Sequence, residues 1–387
     1  MDNIFTNTQA AFSLKNDREL DRAYYLFKII QNRSLVKIGT SLTNFALNLH
    51  LPVEGLIRAT VFDHFCGGTT KEDCLPVMER MHAKGVSSVL DYSVEGKEDD
   101  AHFDDAMNMT LKIIEFAKHN RAIPFAVFKP TGFGRLALYE KVGKQELSPA
   151  EQVEWGRVVQ RYEKVCEKAA ENDICVMVDA EESWMQDAAD ELVEGLMRKY
   201  NKNKALIFNT LQMYRHDRMA YLKSLHECAK AEGFHIGMKL VRGAYMEKEN
   251  ERAQQLGIPS PICPTKQATD LNFDAAVNYM MEHLESMAIF AGTHNEESSL
   301  KLMELMERCG IAKNDQRIWF GQLYGMSDNI SFNLAKHGYN VAKYLPFGPV
   351  REVMPYLIRR AEENTSVEGQ TSRELELIKT ERERRKK

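Results

Sequence analysis

Apolar residues recur at two different periods along the chain. In residues 1 to about 56 they lie three and four positions apart, as in DRELDRAYYLFKII (17–30) and SLVKIGTSLTNFALNL (34–49), which predicts helices. From about residue 57 onward, short apolar and β-branched runs alternate with longer stretches of helical period that end near Gly or Asn. This alternation predicts the strands of a parallel sheet connected by helices.

Eight of these runs have the composition expected of buried strands. The eight are IRATVFDHF (57–65), VSSVLDYSVE (86–95), IPFAVFKP (123–130), ICVMVDAEE (174–182), ALIFNTLQMY (205–214), HIGMKLVRGAY (235–245), MAIFAGTHN (287–295) and QRIWFGQLYG (316–325). Eight strand–helix units over about 280 residues agree with the count and size of a (β/α)8 barrel. The sequence therefore predicts an α/β fold, with an N-terminal helical arm at residues 1–56 and a (β/α)8 TIM-like barrel at residues 57–364.

The last helix of this region, REVMPYLIRRAEEN (351–364), follows a ninth apolar segment, YNVAKYLPFGPV (339–350). If the eight runs already close the barrel, this helix has no strand to serve, and we expect it to lie over the barrel mouth. Its adjacent residues Arg359 and Arg360 point about 100° apart, so the two guanidinium groups do not belong to one solvated stripe.

Polar residues stand where the predicted strands end. They are Asp91, Lys129, Asp179 with Glu181, Gln212, Arg242 with Tyr245, His294 and Gln322. Taken singly, each marks only the point where a strand reaches the surface. Because barrel chemistry is located at the C-terminal ends of the strands, the set as a whole predicts a polar barrel mouth.

Charge argues against nucleic acid as a partner. The 387 residues carry a net charge of −5, and no basic face precedes the last few residues. About half of the residues after Asn364 are charged, and the sequence ends KTERERRKK, which predicts an exposed or frayed helix, a solvated tail, at 365–387. A weak peripheral contact with an anionic membrane is the alternative for this tail.

The cysteines and the N-terminus bear on the compartment. The seven cysteines include no Cys-x-x-Cys pair and predict reduced, buried thiols. No apolar run reaches the roughly 18 residues that a membrane span needs, and residues 1–21 lack an apolar signal core. We therefore expect a cytoplasmic protein without a signal peptide or transmembrane segment, peripheral at the inner membrane if the tail contacts lipid.

Three other kinds of site have candidate residues in this sequence, namely a dinucleotide-binding loop, a metal site and a Schiff-base lysine. GFGRLA (132–137) matches a dinucleotide-binding pattern, but no second strand follows, so a flexible loop beside Lys129 is favoured. Asp91, Asp179, Glu181 and His294 lack the spacing of a metal site, and no metal is expected. A Schiff base on Lys129 or Lys239 stays open, because a buried amine near a strand end is a candidate nucleophile.

Several stretches at the strand ends together resemble proline dehydrogenases. They are FKP (128–130), VDAEE (178–182), LQMY (211–214), KLVRGAY (239–245), THN (293–295), QLYGM (322–326), YLPFGPV (344–350) and YLIRRAEEN (356–364). The resemblance runs in chain order from about Arg58 to Asn364 and is closer to the mitochondrial-type and stand-alone bacterial members than to the large bifunctional ones. It implies an FAD-dependent, distorted (β/α)8 barrel with its last helix over the mouth.

The resemblance also implies a reaction and its residues. L-proline is expected to be oxidised to Δ1-pyrroline-5-carboxylate by hydride transfer from C5 to flavin N5, with quinone as the next acceptor, as the first step of proline catabolism. Asp179 and Lys239 match catalytic residues beside the reacting centre. The matches to flavin contacts are Ala180, Gln212, Lys239, Arg242, Gly243, Ala244, Thr293 and His294.

The substrate residues are assigned by the same resemblance. Arg359 and Arg360 match a clamp for the substrate carboxylate, with Lys129 as a third cation, and forked guanidinium groups suit a planar carboxylate. Glu95 matches an acid that pairs with Arg359 as a gate, and Asp91 matches a position near the carboxylate lysine. The matches to the apolar wall that packs the pyrrolidine ring are Tyr245, Leu323 and Tyr344.

One departure from the family pattern and several alternatives remain. Many bacterial members have Arg where Lys239 stands and Lys where Arg242 stands, so the contact of Lys239 with the flavin is an open point. A hydroxyproline-preferring enzyme of the same fold is the nearest alternative function. A lysine Schiff-base enzyme on the same barrel and a flavin-binding sensor that docks on membranes are the more distant ones.

Overall fold

The computed structural model describes residues 3–32, 34–36, 39–41, 43, 53–94, 98–366 and 370–387. In these residues, eight strands close into a barrel in which each strand neighbours the next one along the chain. The strands are β1 (Val86–Tyr92), β2 (Phe125–Phe128), β3 (Cys175–Val178), β4 (Ile207–Gln212), β5 (Ile236–Val241), β6 (Met287–Gly292), β7 (Ile318–Leu323) and β8 (Val341–Phe347). The predicted (β/α)8 barrel is therefore confirmed.

Helices connect the strands and follow the last one. They are Asp100–Lys118, Leu136–Lys144, Pro149–Asn172, Ser183–Tyr200, Arg218–Glu232, Met246–Leu256, Lys266–Glu282, Glu296–Arg308, Asp328–Lys336, Val350–Ser366 and Gln370–Lys386. The helix Leu75–His82 lies directly before β1. Before β1 stand Thr8–Ala11, Asp17–Ile30, Glu54–Ile57 and Asp63–Phe65, with a π-helix at Arg58–Phe62 and a 3-10 helix at Ile4–Thr6. A further 3-10 turn, Pro130–Gly132, follows β2.

Local signals explain where helices begin. The hydroxyl of Ser148 caps the helix Pro149–Asn172 by accepting the Glu151 N–H, while the Glu151 carboxylate accepts the Ser148 N–H. Asn16 and Glu19 start the helix Asp17–Ile30 in the same way. The helical prediction for residues 17–30 is thus correct, whereas most of SLVKIGTSLTNFALNL lies outside the described residues.

Two of the nine apolar segments were assigned wrongly. IRATVFDHF (57–65) is helical rather than the first strand, and its fully or largely buried residues Ile57, Phe62 and Phe65 lie on the inner face of that helix. The ninth segment contains β8, which pairs in parallel with β1. The error arises because a short apolar run rich in β-branched residues does not distinguish a strand from a buried helix.

The chain divides into two compact units, Met1–Gly96 with Gln322–Lys387, and Lys97–Gly321. The core of the second unit contains an aromatic layer in which the Phe125 ring meets the rings of Phe208, Phe290 and Trp319 edge-on at 5.3–5.5 Å. Gly321 makes room for this layer, because a Cβ at that position would lie 2.1 Å from the Phe290 ring. The GFGRLA segment (132–137) lies in the same unit and is held by a second aromatic contact, since Phe133 is fully buried and stacks on Phe128 at 4.3 Å.

The C-terminal tail is helical over Gln370–Lys386, as predicted, but the prediction that it is solvated is wrong. In the first unit, the helix Gln370–Lys386 packs its buried residues Leu375, Leu377 and Ile378 against Phe12, Phe27 and neighbouring apolar side chains. The guanidinium of Arg385 donates to the carbonyl oxygens of Lys15 and Phe12 at 2.9 and 3.0 Å. The high charge of this segment concealed a narrow apolar face.

The cysteines are unpaired, as predicted, but not uniformly buried. Cys66, Cys74 and Cys166 are buried, whereas Cys309 is exposed. Cys175, Cys228 and Cys263 are half-buried.

Candidate active site

Within the second unit, polar side chains occupy the C-terminal ends of five consecutive strands. Lys129 follows β2, Asp179 follows β3, Gln212 ends β4, Arg242 follows β5 and Thr293 follows β6. Because the strands are parallel, their C-terminal ends lie at the same end of the sheet. Each of the five side chains is buried or half-buried.

Asp179 and Lys239 form an ion pair. The ammonium of Lys239 donates to Oδ1 of Asp179. The side chain of Asp179 is only 16% exposed, and that of Lys239 is only 7% exposed. Lys239 is held in β5, where it is in register with Thr210 of β4 and Phe290 of β6. The structure thus brings together the two residues that the sequence assigned to catalysis.

Gln212 presents a buried hydrogen-bond acceptor. Its side chain is 2% exposed, and Nε2 donates to the backbone oxygen of Glu181 at 2.8 Å. Among the described residues, Oε1 of Gln212 has no hydrogen-bond partner. A buried carbonyl oxygen without a partner is costly, so this atom fits a ligand that donates an N–H, as a flavin ring does.

Arg242 is held in one orientation by four neighbours. Nε donates to Asp270 at 2.7 Å, Nη1 to the Thr293 hydroxyl at 2.7 Å and Nη2 to the Ser298 hydroxyl at 3.0 Å. The guanidinium also lies 4.6 Å from the centre of the Phe273 ring. Because Nη1 and Nη2 each carry a second N–H, this rigid group still has donors for an anion such as a pyrophosphate.

The backbone beside Arg242 is open to close approach. Gly243 has φ +130°, a conformation that side chains disfavour, and a Cβ there would lie 2.4 Å from the Tyr214 ring. Gly243 and Ala244 are exposed, while Ala180, Tyr245 and His294 are half-buried. The residues present therefore fit a flavin nucleotide by their donors, their acceptor and their uncovered backbone.

The first unit carries the other predicted residues. Asp91 in β1 is buried and accepts a hydrogen bond from the Ser93 hydroxyl at 2.7 Å. Tyr344 in β8 is buried, and Leu323 at the end of β7 is half-buried. Glu95 lies outside the described residues.

Arg359 and Arg360 lie in the helix Val350–Ser366 of the first unit. Arg359 is half-buried, and Arg360 is buried with its guanidinium 5.2 Å from the centre of the Tyr356 ring. The residues just before them, Tyr356 and Leu357, belong to the apolar core that this helix shares with the arm helix Asp17–Ile30. The turn that carries the two arginines is therefore partly covered by apolar side chains.

Comparison with known proteins identifies the family. A family model described as proline dehydrogenase matches residues 74–373. The chain belongs to the proline dehydrogenase family. This is a family of enzymes, and the strand-end residues described above are those of one of its members.

Relatives of the chain carry two kinds of name. It is 37% identical over 334 residues to the carbapenem antibiotics biosynthesis protein CarD of Pectobacterium carotovorum subsp. carotovorum, with 86% of each chain covered. It is 42% identical over 231 residues to the mitochondrial proline dehydrogenase 1 of Homo sapiens, covering 59% of this chain and 38% of that protein. It is 30% identical over 429 residues to the Dictyostelium discoideum protein of the same name, covering 98% of this chain and 74% of that protein.

Solved structures share the fold. Proline utilization A (PutA) from Bdellovibrio bacteriovorus, inactivated by N-propargylglycine, matches with a TM-score of 0.73 and 21% identity. The match covers 94% of this chain and 39% of that one, so the chain corresponds to well under half of the larger protein.

Some residues of the site gave no signal in the sequence of this proline dehydrogenase family member. Asp270 and Phe273 lie in the helix Lys266–Glu282, and Ser298 lies in the helix Glu296–Arg308, yet all three hold Arg242. They stand on helices, whereas the polar residues that predict the barrel mouth stand at strand ends.

The described residues provide neither a metal-binding cluster nor a helix able to span a membrane. In the part of the chain that the structure describes, no group of three or more His, Cys, Asp or Glu side chains is arranged to hold a metal ion. Among the described helices, none has both the length and the apolar character that crossing a membrane requires.

Proposed function

We propose that this protein oxidises L-proline to Δ1-pyrroline-5-carboxylate with bound FAD as the immediate acceptor and quinone as the next one. Membership of the proline dehydrogenase family supports the substrate and the reaction. The observation that carries the flavin part is the buried Oε1 of Gln212, which has no hydrogen-bond partner among the described residues. It accompanies the ion pair of Asp179 and Lys239 in the same unit.

The flavin is assigned to residues of the second unit. FAD, when bound, supplies the two-electron acceptor for the hydride that leaves C5 of proline. Gln212 offers an acceptor to the ring, and Arg242 offers N–H donors to the pyrophosphate. The remaining proposed contacts, carried over from the family pattern, are Ala180, Lys239, Gly243, Ala244, Thr293 and His294.

Asp179 and Lys239 are proposed to act as a pair beside the reacting centre. Each neutralises the other, so the site keeps a strong local dipole without a net buried charge. The ammonium of Lys239 is a point charge that can polarise a neighbouring group, whereas it cannot form the forked contact that arginine gives in many bacterial members.

The substrate assignments are proposals from the family pattern. Arg359 and Arg360 are assigned to the carboxylate of proline, and Lys129 is assigned to the same group. Tyr344 and Leu323, together with Tyr245 of the second unit, are assigned to the apolar ring of the substrate. Asp91 and Glu95 keep the supporting roles that the resemblance gives them.

One absorption experiment tests the reaction. The purified protein should show a flavin spectrum that bleaches anaerobically with L-proline and returns when a quinone is added. N-propargylglycine, with which the Bdellovibrio bacteriovorus protein was inactivated, should cause a time-dependent loss of activity that L-proline slows. A protein that stays colourless with added FAD, or a flavin spectrum that L-proline leaves unchanged, would contradict the proposal.

The alternative functions are distinguished by the preferred substrate and by borohydride trapping of a lysine adduct. Because Tyr344 is large, we expect it to crowd the ring carbon that carries the hydroxyl of trans-4-hydroxyproline, so proline should have the higher kcat/KM. Equal kcat/KM values would favour the hydroxyproline enzyme. Borohydride trapping of substrate on Lys129 or Lys239 would favour a Schiff-base enzyme, and flavin binding without turnover would favour a sensor.

One relative is named for a different biological process. The Pectobacterium protein, 86% of whose length is covered, is named for carbapenem antibiotic biosynthesis rather than for proline breakdown. Expression of this chain in a host that lacks proline dehydrogenase tests the catabolic role, because it should restore growth on proline as the nitrogen source.

The location is proposed to be cytoplasmic. The charged tail suggested a weak membrane contact, but in the structure its helix is docked and Arg384 and Arg385 are paired with the buried Glu381. We therefore propose no lipid contact through this segment, and no nucleic-acid partner.

A further inference from the structure

Glu181 holds the turn that follows Lys129. Its buried carboxylate accepts two hydrogen bonds from a single residue, from the Thr131 N–H to Oε2 at 2.8 Å and from the Thr131 hydroxyl to Oε1 at 2.7 Å. Thr131 stands two residues after Lys129, in the 3-10 turn Pro130–Gly132 at the end of β2. Two bonds to one residue fix both the position and the orientation of this turn.

Glu181 is itself anchored on its other side. Its backbone oxygen accepts from Nε2 of Gln212 at 2.8 Å, and its N–H donates to Oε1 of Gln186 at 3.1 Å. Gln186 in turn donates to Asp190, which forms a buried ion pair with Arg218 at 2.7 Å. Glu181 therefore joins the ends of β2, β3 and β4 to a buried network through its carboxylate and its backbone, and its side chain is not a mobile surface group.

We propose that Glu181 is a positioning residue, which places the ammonium of Lys129 for the substrate carboxylate by fixing Thr131. This inference rests on the proposed function, in which Lys129 binds that carboxylate. Glu181 needs no contact with substrate or flavin in this role, because it acts through the turn between Lys129 and Thr131. A misplaced ammonium weakens carboxylate binding even though its charge is retained.

The groups around Glu181 determine the pH at which its carboxylate is ionised. Burial raises the pKa of Glu181 to about 7, while the Thr131 hydrogen bonds and the positive charge of Lys129 act in the opposite direction. The other titratable groups that interact with it are Glu182 and the phenols of Tyr139 and Tyr162. Assays at about pH 8 keep the carboxylate mostly ionised.

The test uses Glu181→Gln and a ligand that reports on the carboxylate alone. Cyclopentanecarboxylate has the ring and the carboxylate of proline but no amine. The amide nitrogen of Gln cannot accept the second Thr131 hydrogen bond, so we expect affinity for cyclopentanecarboxylate to fall roughly 5- to 10-fold, with KM for L-proline rising by a similar factor and kcat changing less. Thr131→Val should likewise lower the affinity for cyclopentanecarboxylate and raise KM for L-proline. Thr131→Ser keeps the hydroxyl and should have values close to those of the wild type.

A matched control and a double variant separate positioning from general damage. Glu182→Gln removes the neighbouring acid, which pairs with exposed Lys248 at 2.8 Å, and should leave cyclopentanecarboxylate affinity within about twofold. In a Lys129→Met background, Glu181→Gln should cause almost no further loss, because the residue through which it acts is gone. Flavin content is measured for every variant.

Three results would overturn the inference. They are unchanged cyclopentanecarboxylate binding in Glu181→Gln, an equal loss in the presence and absence of Lys129, or a Thr131→Val variant with wild-type affinity. The proposed function fails by a different result, namely wild-type flavin that L-proline does not reduce.

Discussion

Nζ of Lys343 lies 2.8 Å from Oδ1 of Asp328, and both side chains are buried. The other oxygen of Asp328 faces Lys15 at 2.9 Å, so one carboxylate neutralises two ammonium groups in the first unit. These two lysines hold the pKa of Asp328 far below its usual range. The contact joins β8 to the helix Asp328–Lys336 and to the N-terminal segment.

Asp328→Asn should therefore be strongly destabilising. Removing one partner of a buried pair leaves charge without compensation, at a cost of about 3–5 kcal/mol in the free energy of unfolding. Denaturant unfolding of the variant and the wild type measures this cost. The control is Glu376→Ala, because Glu376 is exposed and the loss of its ion pair with Arg373 should change stability by less than about 1 kcal/mol. Equal stability of Asp328→Asn and the wild type would show that the pair contributes nothing.

The docked C-terminal helix predicts a core-like cost for Ile378→Ala. Ile378 is 1% exposed and packs with Phe12 and Phe27, so its truncation should lower the free energy of unfolding by about 2–5 kcal/mol. Lys379→Ala, on the exposed side of the same helix, should change it by no more than about 0.5 kcal/mol. If both variants unfold like the wild type, the helix does not pack as described.

Glu374 predicts a pH dependence of stability. Burial raises the pKa of Glu374 to about 7, with Asp328 acting in the same direction and the Ser327 N–H, Lys343 and Lys15 acting against it. Since the unfolded pKa is lower, the folded state binds more protons, and this contribution to stability is lost as the pH rises from about 4.5 through 7.

Glu374→Gln should remove that loss. Its stability relative to the wild type should increase between about pH 4.5 and pH 8, by at most about 3.5 kcal/mol, because one pKa unit corresponds to about 1.4 kcal/mol. Thermal unfolding across this range measures the difference, with Glu376→Gln as an exposed control. A constant difference between Glu374→Gln and the wild type over the whole range would contradict the titration.

The pair of Asp179 and Lys239 should separate stability from activity. Asp179→Asn and Lys239→Met each leave one buried charge and should each lower the free energy of unfolding by several kcal/mol. The double variant should regain most of that stability but none of the turnover with L-proline. Unfolding curves and steady-state kinetics on the three variants test this, and a double variant with wild-type kcat would remove the pair from catalysis.

The two adjacent arginines should affect ligands that carry a carboxylate. If Arg359 and Arg360 hold that group, Arg359→Met or Arg360→Met should cost roughly 10- to 150-fold in kcat/KM, since a charge-assisted hydrogen bond contributes about 1.5–3 kcal/mol. Lysine at either position should recover only part of the loss, because a point charge does not reproduce the guanidinium fork. Near-normal KM and carboxylate-inhibitor binding in fully flavinated Met variants would show that the arginines have another role.

The sequence by itself predicted the barrel and most of the polar strand ends. Period and composition suffice there, because each buried strand is a short apolar run that ends where the chain reaches water. They do not suffice for IRATVFDHF (57–65), where the same composition fills a buried helix. The true last strand, β8, was consequently counted as an addition.

Only the tertiary structure decided which polar groups share a contact and which segments are covered. The ion pair of Asp179 and Lys239 joins residues 60 positions apart, and no local pattern specifies it. The hydrogen bonds that the Glu181 carboxylate accepts from Thr131 bridge 50 positions in the same way. The charged C-terminal helix is buried on one face because the N-terminal arm presents an apolar surface to it. Periodicity describes the faces of one element, whereas burial depends on what another element, distant in sequence, places against that face.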